Sequence, residues 1–332
     1  MTGAYGRAGV NLDAAADAVS LIRELSEGAS RPEVVEAVGG FAGLFRLGDG
    51  RLLAASADGV GTKVEVARVV GRLDTVGIDA VAMCANDVVT TGAEPLFFLD
   101  TVVVEHLVPE QVAAIVAGVA EGCRRAGCAL LGGETAEHPG HLVEGGLDVS
   151  GFCVGVVEEG RLLGPGRVRP DDVLVGVRSS GLHANGFSLV RRAVEGLDLE
   201  ATPEGLRRPL AEELLEPTLI YVPLVLAARE LVHAAAHVTG GGLLENIPRA
   251  LPDGLGTLLD RSSWRPQEVF GFVARRADAS EADMFGTLNM GLGMVLVTSA
   301  AHAEQVAALA DRHGFEAAVV GRVTEEPGVH LQ

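Results

Sequence analysis

Apolar residues recur along this chain with two periods, and the alternation between them lays out the elements. Residues 52–56 (Leu-Leu-Ala-Ala-Ser) read as a buried strand, followed by the loop Asp58–Lys63 and an apolar helix running through Val70. From Thr75 to Thr91 apolar residues go nearly all the way round a helix, while Asp79, Asn86 and Asp87 stand seven to eight residues apart. That spacing puts the three on one stripe, so the pattern predicts a buried helix with a polar edge. Leu96–Val104 reads as a strand. Pro109–Ala126 reads as an amphipathic helix, with Pro109 in the first helical position and Gly127 as a left-handed stop. A strand at Ala129–Leu131 leads into Gly132-Gly133-Glu134-Thr135, and Val149–Val157 is a further strand.

Residues 158–172 break the rhythm: they are rich in Gly, Pro, Arg and Asp and show no period. A boundary there divides the chain into domains at 1–164 and 165–332. The alternation then restarts, with strands expected at Val173–Val177 and Val295–Thr298 and helices at Gly186–Glu195, Leu219–Val232, Leu243–Ala250 and Ala301–His313. Strands alternating with helices in both halves imply an α/β class, with mixed sheets of α+β character.

Length agrees, since 332 residues exceed what one core usually serves. Although 48% of residues are hydrophobic, no apolar run approaches the roughly 20 residues of a membrane span. The opening residues lack the basic stretch and apolar core of a secretory signal, which points to the cytoplasm. Cys84, Cys123, Cys128 and Cys153 lie in apolar segments without zinc-site spacing, so they read as reduced core thiols. A net charge of −19 excludes nucleic acid as a partner, because that partner demands a basic surface.

Charge also singles out one position. Lys63 is the only lysine among 26 basic residues, and Asn11, Asn86, Asn185, Asn246 and Asn289 are the only asparagines. If composition has drifted against both residue types, the survivors mark places where no substitute serves. In α/β proteins the loop after a strand and before a helix is where ligands bind, because helix amides face outward there. The loop Asp58-Gly59-Val60-Gly61-Thr62-Lys63 offers two glycines for close approach to a phosphate, a lysine as a mobile point charge, and an aspartate able to hold magnesium. It lacks the spacing of a P-loop. Asn86-Asp87 in an apolar helix must be satisfied by a metal, a nucleotide or an internal cap. Glu134, with Thr135 beside it, offers a carboxylate to magnesium or a ribose hydroxyl, or else sits in an ordinary turn. Ser180, Gly181, His183 and Asn185, within Ser179–Gly186, suit a ribose phosphate. In His237-Val238-Thr239-Gly240-Gly241-Gly242, Thr239 can cap the helix that follows, and the three glycines expose amides to an anion. His237, at the mouth of that run, is a candidate acid, base or substrate donor.

In this order these motifs resemble the aminoimidazole ribonucleotide synthetase family (phosphoribosylformylglycinamidine cyclo-ligases) over almost the full chain. The residues concerned are Asp58–Lys63, Asn86-Asp87 with Gly92–Phe98, Gly132–Glu137, Ser180–His183 with Asn185-Gly186, and His237–Gly242. The resemblance implies a homodimer in which N-terminal sheets pair into a barrel, with active sites between the first and second domains. It implies that formylglycinamidine ribonucleotide and ATP give aminoimidazole ribonucleotide, ADP and phosphate in purine biosynthesis. It implies ATP and Mg2+ as cofactors, with Asp58, Asp87 and Glu134 on metal or nucleotide, Lys63 on the transferring phosphoryl group, and His183, Asn185 and the glycines on substrate phosphate. The family usually opens with Tyr-Lys-Asp-Ala-Gly-Val-Asp over the nucleotide, where this chain has Tyr5 to Asn11 as Tyr-Gly-Arg-Ala-Gly-Val-Asn. Two related kinds of enzyme, selenophosphate synthetases and thiamine-phosphate kinases, phosphorylate other acceptors. The former carry a reactive cysteine near the N-terminus, and the earliest here is Cys84. A silent nucleotide-binding paralogue is the alternative from another class.

Overall fold

Two mixed six-stranded sheets, one in each half of the chain, carry the fold. The computed structural model describes residues 6, 9, 12–36 and 39–332. Of the opening motif, Tyr5, Arg7, Ala8, Val10 and Asn11 lie outside the described residues, among them the departures at Arg7 and Asn11.

The first half runs α1 (Leu12–Glu27), β1 (Val34–Glu36), β2 (Gly43–Arg46), β3 (Arg51–Gly59), α2 (Lys63–Val70), α3 (Asp74–Thr90), β4 (Glu94–Val104), α4 (Pro109–Ala126), β5 (Ala129–Glu137) and β6 (Leu147–Glu158). Its strands lie in the order β1-β2-β3-β6-β4-β5, and only β4 and β5 are parallel. Along β6, Val149, Cys153 and Val157 are buried while Asp148, Phe152 and Glu158 are exposed, the period of a strand covered on one face. Helices α3 and α4 provide the cover. They approach closely because glycines meet at the crossing: a Cβ on Gly77 would overlap the Ile115 carbonyl, and one on Gly118 would overlap the Asp74 carbonyl. Every residue of α3 after Asp74 is buried, because the sheet, α4 and the second half enclose it. The sheet is open within one chain.

The second half runs β7 (Val173–Arg178), α5 (Phe187–Ala193), α6 (Leu210–Leu215), α7 (Val222–Ala228), β8 (Val232–His237), α8 (Gly242–Asn246), β9 (Gly256–Leu259), α9 (Glu268–Ala277), α10 (Glu281–Phe285), β10 (Leu292–Thr298), α11 (Ala303–Arg312), β11 (Ala317–Thr324) and β12 (Gly328–Leu331). Strand order is β12-β9-β11-β7-β10-β8, antiparallel except for β12 with β9. Central strand β10 is buried at all seven positions, which is why it reads as a continuous apolar run.

Three expected elements differ. The helix expected over Leu219–Val232 is confined to Val222–Ala228, and Val232 opens β8 instead, because apolar runs of that length suit a buried strand as well as a helix. The helix expected over Leu243–Ala250 is one turn, Gly242–Asn246, followed by a 3-10 turn at Ile247–Ala250. Gly132–Thr135 is not a turn: pairing with β4 carries β5 on to Glu137.

Candidate active site

Asp79, Asn86 and Asp87 project from the polar edge of α3, and the second half of the chain satisfies all three. Thr218 donates to Asp79 Oδ1 through its amide (2.8 Å) and its hydroxyl (2.6 Å). The Asn86 amide donates to the Leu219 carbonyl at 2.8 Å, and its oxygen accepts from the Tyr221 amide at 2.8 Å. Asp87 Oδ1 lies 2.8 Å from His237 Nδ1, and Asp87 Oδ2 accepts from the Ser56 hydroxyl at 3.3 Å. Protein groups thus satisfy both Asn86 and Asp87. The polar edge is the seam between the halves.

Lys63 belongs to that seam. Its ammonium is fully buried, 2.8 Å from Asp79 Oδ2, and donates to the carbonyls of Glu216 (2.8 Å) and His183 (3.0 Å). Two carbonyl bonds and one ion pair hold the ammonium in place, so the expected mobile point charge is instead a fixed pin. Burial pulls the Lys63 pKa down and the Asp79 carboxylate opposes that pull.

His237, expected at a mouth, is fully buried at the end of β8. With Nδ1 on Asp87 and Nε2 3.4 Å from the Asn86 amide, both ring nitrogens are engaged by neighbouring side chains. His183 is also buried. Its Nε2 accepts from the Ser180 amide at 3.3 Å, and burial, then the neighbouring His237 and Lys63, hold its pKa well below the usual range. Its φ of +62° is a conformation few non-glycine residues adopt, and the Lys63 bond to its carbonyl helps to fix it.

Three turns converge over this seam. Thr62 Oγ1, in the Asp58–Lys63 loop, lies 3.5 Å from the hydroxyl of Ser188, just after the Ser179–Gly186 turn. The Asn185 amide donates to Met83 Sδ on α3 at 3.4 Å, and a Cβ on Gly240 would touch Asn185 Oδ1 at 3.7 Å. Ser180 donates to the Pro217 carbonyl. Thr239 does not cap the helix after it, for its hydroxyl donates to Asn246 Oδ1 and Gly241 holds the cap position. The Asn246 amide gathers the carbonyls of Thr239, Gly240 and Gly242, and a Cβ on Gly242 would overlap the Phe285 carbonyl. The glycine run is thus a folded, pinned turn. Accessible around it are Gly61, Gly240 and, in part, Asp58, Thr62, Ser180, Asn185 and Thr239.

Asp58 Oδ1 accepts from the Gly59 amide at 2.7 Å. Burial pushes its carboxyl above the usual range, and the Asp87 carboxylate adds to the shift. Arg249 supplies positive charge to Asp87 and Asp58; it donates to Asn246 Oδ1 and the Gly40 carbonyl, and its guanidinium lies 3.9 Å from the centre of the Phe41 ring. Sequence reading missed Arg249, one of 25 arginines with no motif around it.

Glu134 and Thr135 stand apart. In the sheet register Glu134 pairs with Thr101, Thr101 with Ser150, and Ser150 with Gly59. Three strand spacings separate Glu134 from Gly59, about 14 Å. Among the described residues no group of three or more His, Cys, Asp and Glu is arranged to hold a metal. Asp58, Asp87 and Glu134 of one chain therefore do not fit a resident Mg2+: one is tied to His237 and another lies across the sheet.

Comparison with known proteins fits this two-part architecture. Residues 39–157 match the N-terminal domain of the AIR synthase related proteins, and residues 169–332 match their C-terminal domain. The chain belongs to this family. Curated relatives named phosphoribosylformylglycinamidine cyclo-ligase include those of Gloeobacter violaceus (48% identical, covering 98% of this chain and 99% of the relative) and Geobacillus thermodenitrificans (46%, covering 99% and 98%). Those family members are enzymes, ligases that form a C–N bond. Among solved structures, tt0281 from Thermus thermophilus superposes with a TM-score of 0.67 at 25% identity, covering 94% of this chain and 95% of that one. Thiamine-monophosphate kinase from Stenotrophomonas maltophilia gives 0.66 at 21% identity, covering 95% and 96%, which shows the shared fold.

Proposed function

We propose that this chain is an ATP-dependent cyclo-ligase of purine biosynthesis, turning formylglycinamidine ribonucleotide into 5-aminoimidazole ribonucleotide with release of ADP and phosphate. The observation that carries the reading is the meeting of three glycine-bearing turns at one seam, in a chain similar to cyclo-ligases from end to end.

An amide oxygen is a poor leaving group. Transfer of the γ-phosphoryl group from ATP makes it an iminophosphate, the amidine nitrogen attacks the same carbon, and the C–O bond breaks as phosphate departs. Ring closure then depends on holding nucleophile and electrophile together, which lowers a barrier by several kcal/mol, on the order of 7 in favourable cases. The accessible backbone at Gly240 and the side chains of Ser180, Asn185 and Thr239 suit a ribose phosphate. Gly59, Gly61, Thr62 and Asp58 suit the nucleotide. Neighbours of the same fold solved with AMPPCP or with ADP support a nucleotide here, and a T. maritima PurL complexed with FGAR supports a substrate of that chemistry. Mg2+ enters with the nucleotide rather than on a preformed protein site. Domains 1–164 and 165–332 divide the work, the first taking nucleotide and the second substrate phosphate.

The working unit is a homodimer. Leu96, Leu131 and Phe152 are exposed on the first sheet, and β5 leaves one edge unpaired, a surface that a second copy would cover. Covering that edge would also bring Glu134 and Thr135 to a nucleotide they cannot share with Asp58 of their own chain. In the test, purified protein receives MgATP and formylglycinamidine ribonucleotide. Stoichiometric ADP and an aminoimidazole product are expected; ADP without the imidazole would mean another acceptor, and no ADP would refute the proposal.

A further inference from the structure

All four cysteines of the chain are free thiols gathered between the helices and the first sheet. Cys123 and Cys153 both lie near enough to Cys128 to shift its titration, and Cys84 near enough to shift that of Cys153. At the far end of the row, Cys84 Sγ donates to the Gly151 carbonyl at 3.3 Å.

The helix stop explains the tightest contact. Gly127 closes α4 with φ +72°, its amide bonds the Arg124 carbonyl at 3.4 Å, and the Cys128 amide bonds the Cys123 carbonyl at 3.0 Å. This pair of bonds is a Schellman cap, which brings the side chains five residues apart into contact, usually as an apolar pair. Here the two residues are cysteines. Access differs across the row: Cys123 and Cys153 are buried, whereas Cys128, at the joint between α4 and β5, is partly open to solvent.

We propose that Cys128 and Cys123 form a reversible disulfide across the end of α4, with a hydroperoxide as oxidant and Cys128 as the attacking thiol. The Cys128 thiolate displaces hydroxide from hydrogen peroxide, so that sulfur is oxidised to the sulfenic acid and the O–O bond is reduced. The Cys123 thiol then attacks that sulfur and water leaves, with the sulfenic oxygen and one thiol proton each accounted for. A dithiol reductant reverses the bridge by thiol exchange. Hydrogen bonds from Cys123 and Cys153 favour the Cys128 thiolate and hold its pKa below the ordinary thiol range, while the same bonds and burial push both partners up. The row therefore has one nucleophile and a resolving thiol fixed beside it.

Arg124 and Arg125 lie between the two cysteines, so trypsin separates them and a bridge appears as two joined peptides. The folded, full-length protein is treated with a slight excess of hydrogen peroxide, blocked with iodoacetamide, digested without reductant and read by mass spectrometry. Joined peptides containing Cys123 and Cys128 are expected, absent after dithiothreitol treatment. The cross-link should survive Cys153→Ser and vanish in Cys128→Ala, whose fold is checked by thermal melting. In the unmodified protein, thiol consumption by peroxide should reach half its maximal rate well below the pH of about 8.5 expected of a free cysteine. Over-oxidation of Cys128 without a bridge, a bridge to Cys153 instead, or no faster reaction than free cysteine would each overturn the proposal.

Discussion

The two ends of the polar edge on α3 start from the same sequence problem and solve it differently. At the Asp79 end the carboxylate is fully enclosed: Thr218 donates twice to Oδ1, and Oδ2 is paired with the Lys63 ammonium by charge alone. At the Asp87 end the carboxylate meets His237 and Ser56 but also a second carboxylate, Asp58, with Arg249 beyond it. One end is closed by matched charge and holds the two halves in register. The other keeps an excess of negative charge next to glycine turns, an arrangement that a structural joint alone does not require. Burial by itself therefore does not mark the site; unmatched charge beside accessible backbone does.

The closed end is where the largest effect is expected. Lys63→Ala strands Asp79 as an uncompensated buried charge and frees the carbonyls of His183 and Glu216, which should cost about 3–5 kcal/mol in urea unfolding. Combining Lys63→Met with Asp79→Leu should recover the part due to the stranded charge, because replacing a whole buried pair is cheaper than breaking it, while Thr218 and the two carbonyls still lose their partners. A single-variant loss below about 1 kcal/mol would show that the pair does not hold the seam, and would reopen a chemical role for the ammonium.

At the open end, Asp87→Ala removes the acceptor from a buried His237 Nδ1 and should cost about 1–3 kcal/mol. Unlike Lys63→Ala, it should also lower kcat/KM in the molecules that remain folded, because Asp87 sits beside Asp58. Equal activity per folded molecule would remove the distinction between the ends.

What was legible in the sequence follows the same line. The polar edge could be read because interior carboxylates spaced along one helical stripe demand partners. The partners could not, since Thr218 and His237 lie 139 and 150 residues away and no local pattern encodes that contact. The rarity of Lys63 singles the position out, but a pin and a catalyst look alike until burial is known. Short elements such as β9, β12 and α10 escaped because four or five residues hold too little of any period. Glu134 was misplaced for a related reason: consecutive glycines suggest a turn, and only pairing with β4 keeps that segment extended.

A smaller and pH-dependent effect tests the middle of the seam. His183 is buried and neutral, its folded pKa held well below the ordinary 6.5. The unfolded chain then binds a proton that the folded chain refuses, so this contribution is complete above about pH 6.5 and falls as pH drops below it, by about 1.4 kcal/mol per unit until the folded pKa is reached. His183→Asn, which tolerates the left-handed backbone and keeps the carbonyl that Lys63 holds, should flatten the unfolding free energy between about pH 6.5 and 5. An unchanged slope would assign the pH dependence elsewhere.

The smallest expected effect has the opposite sign and bears most directly on the open end. The folded pKa of Asp58 is raised above its ordinary 3.8, so the folded protein binds the extra proton between those two values and loses stability as pH rises through that window. Above it the folded state carries the full cost of a carboxylate beside Asp87. Asp58→Asn keeps an oxygen for the Gly59 amide and removes that charge, and should therefore raise stability near pH 7 by on the order of 1 kcal/mol. Below about pH 3.8 the advantage should vanish, because the aspartate is then neutral in both states. Activity should fall in the same variant, the pattern expected where a site keeps a destabilising charge for its chemistry. If Asp58→Asn is instead destabilising at neutral pH and fully active, the carboxylate is part of the fold, and the two ends of α3 differ in degree rather than in kind.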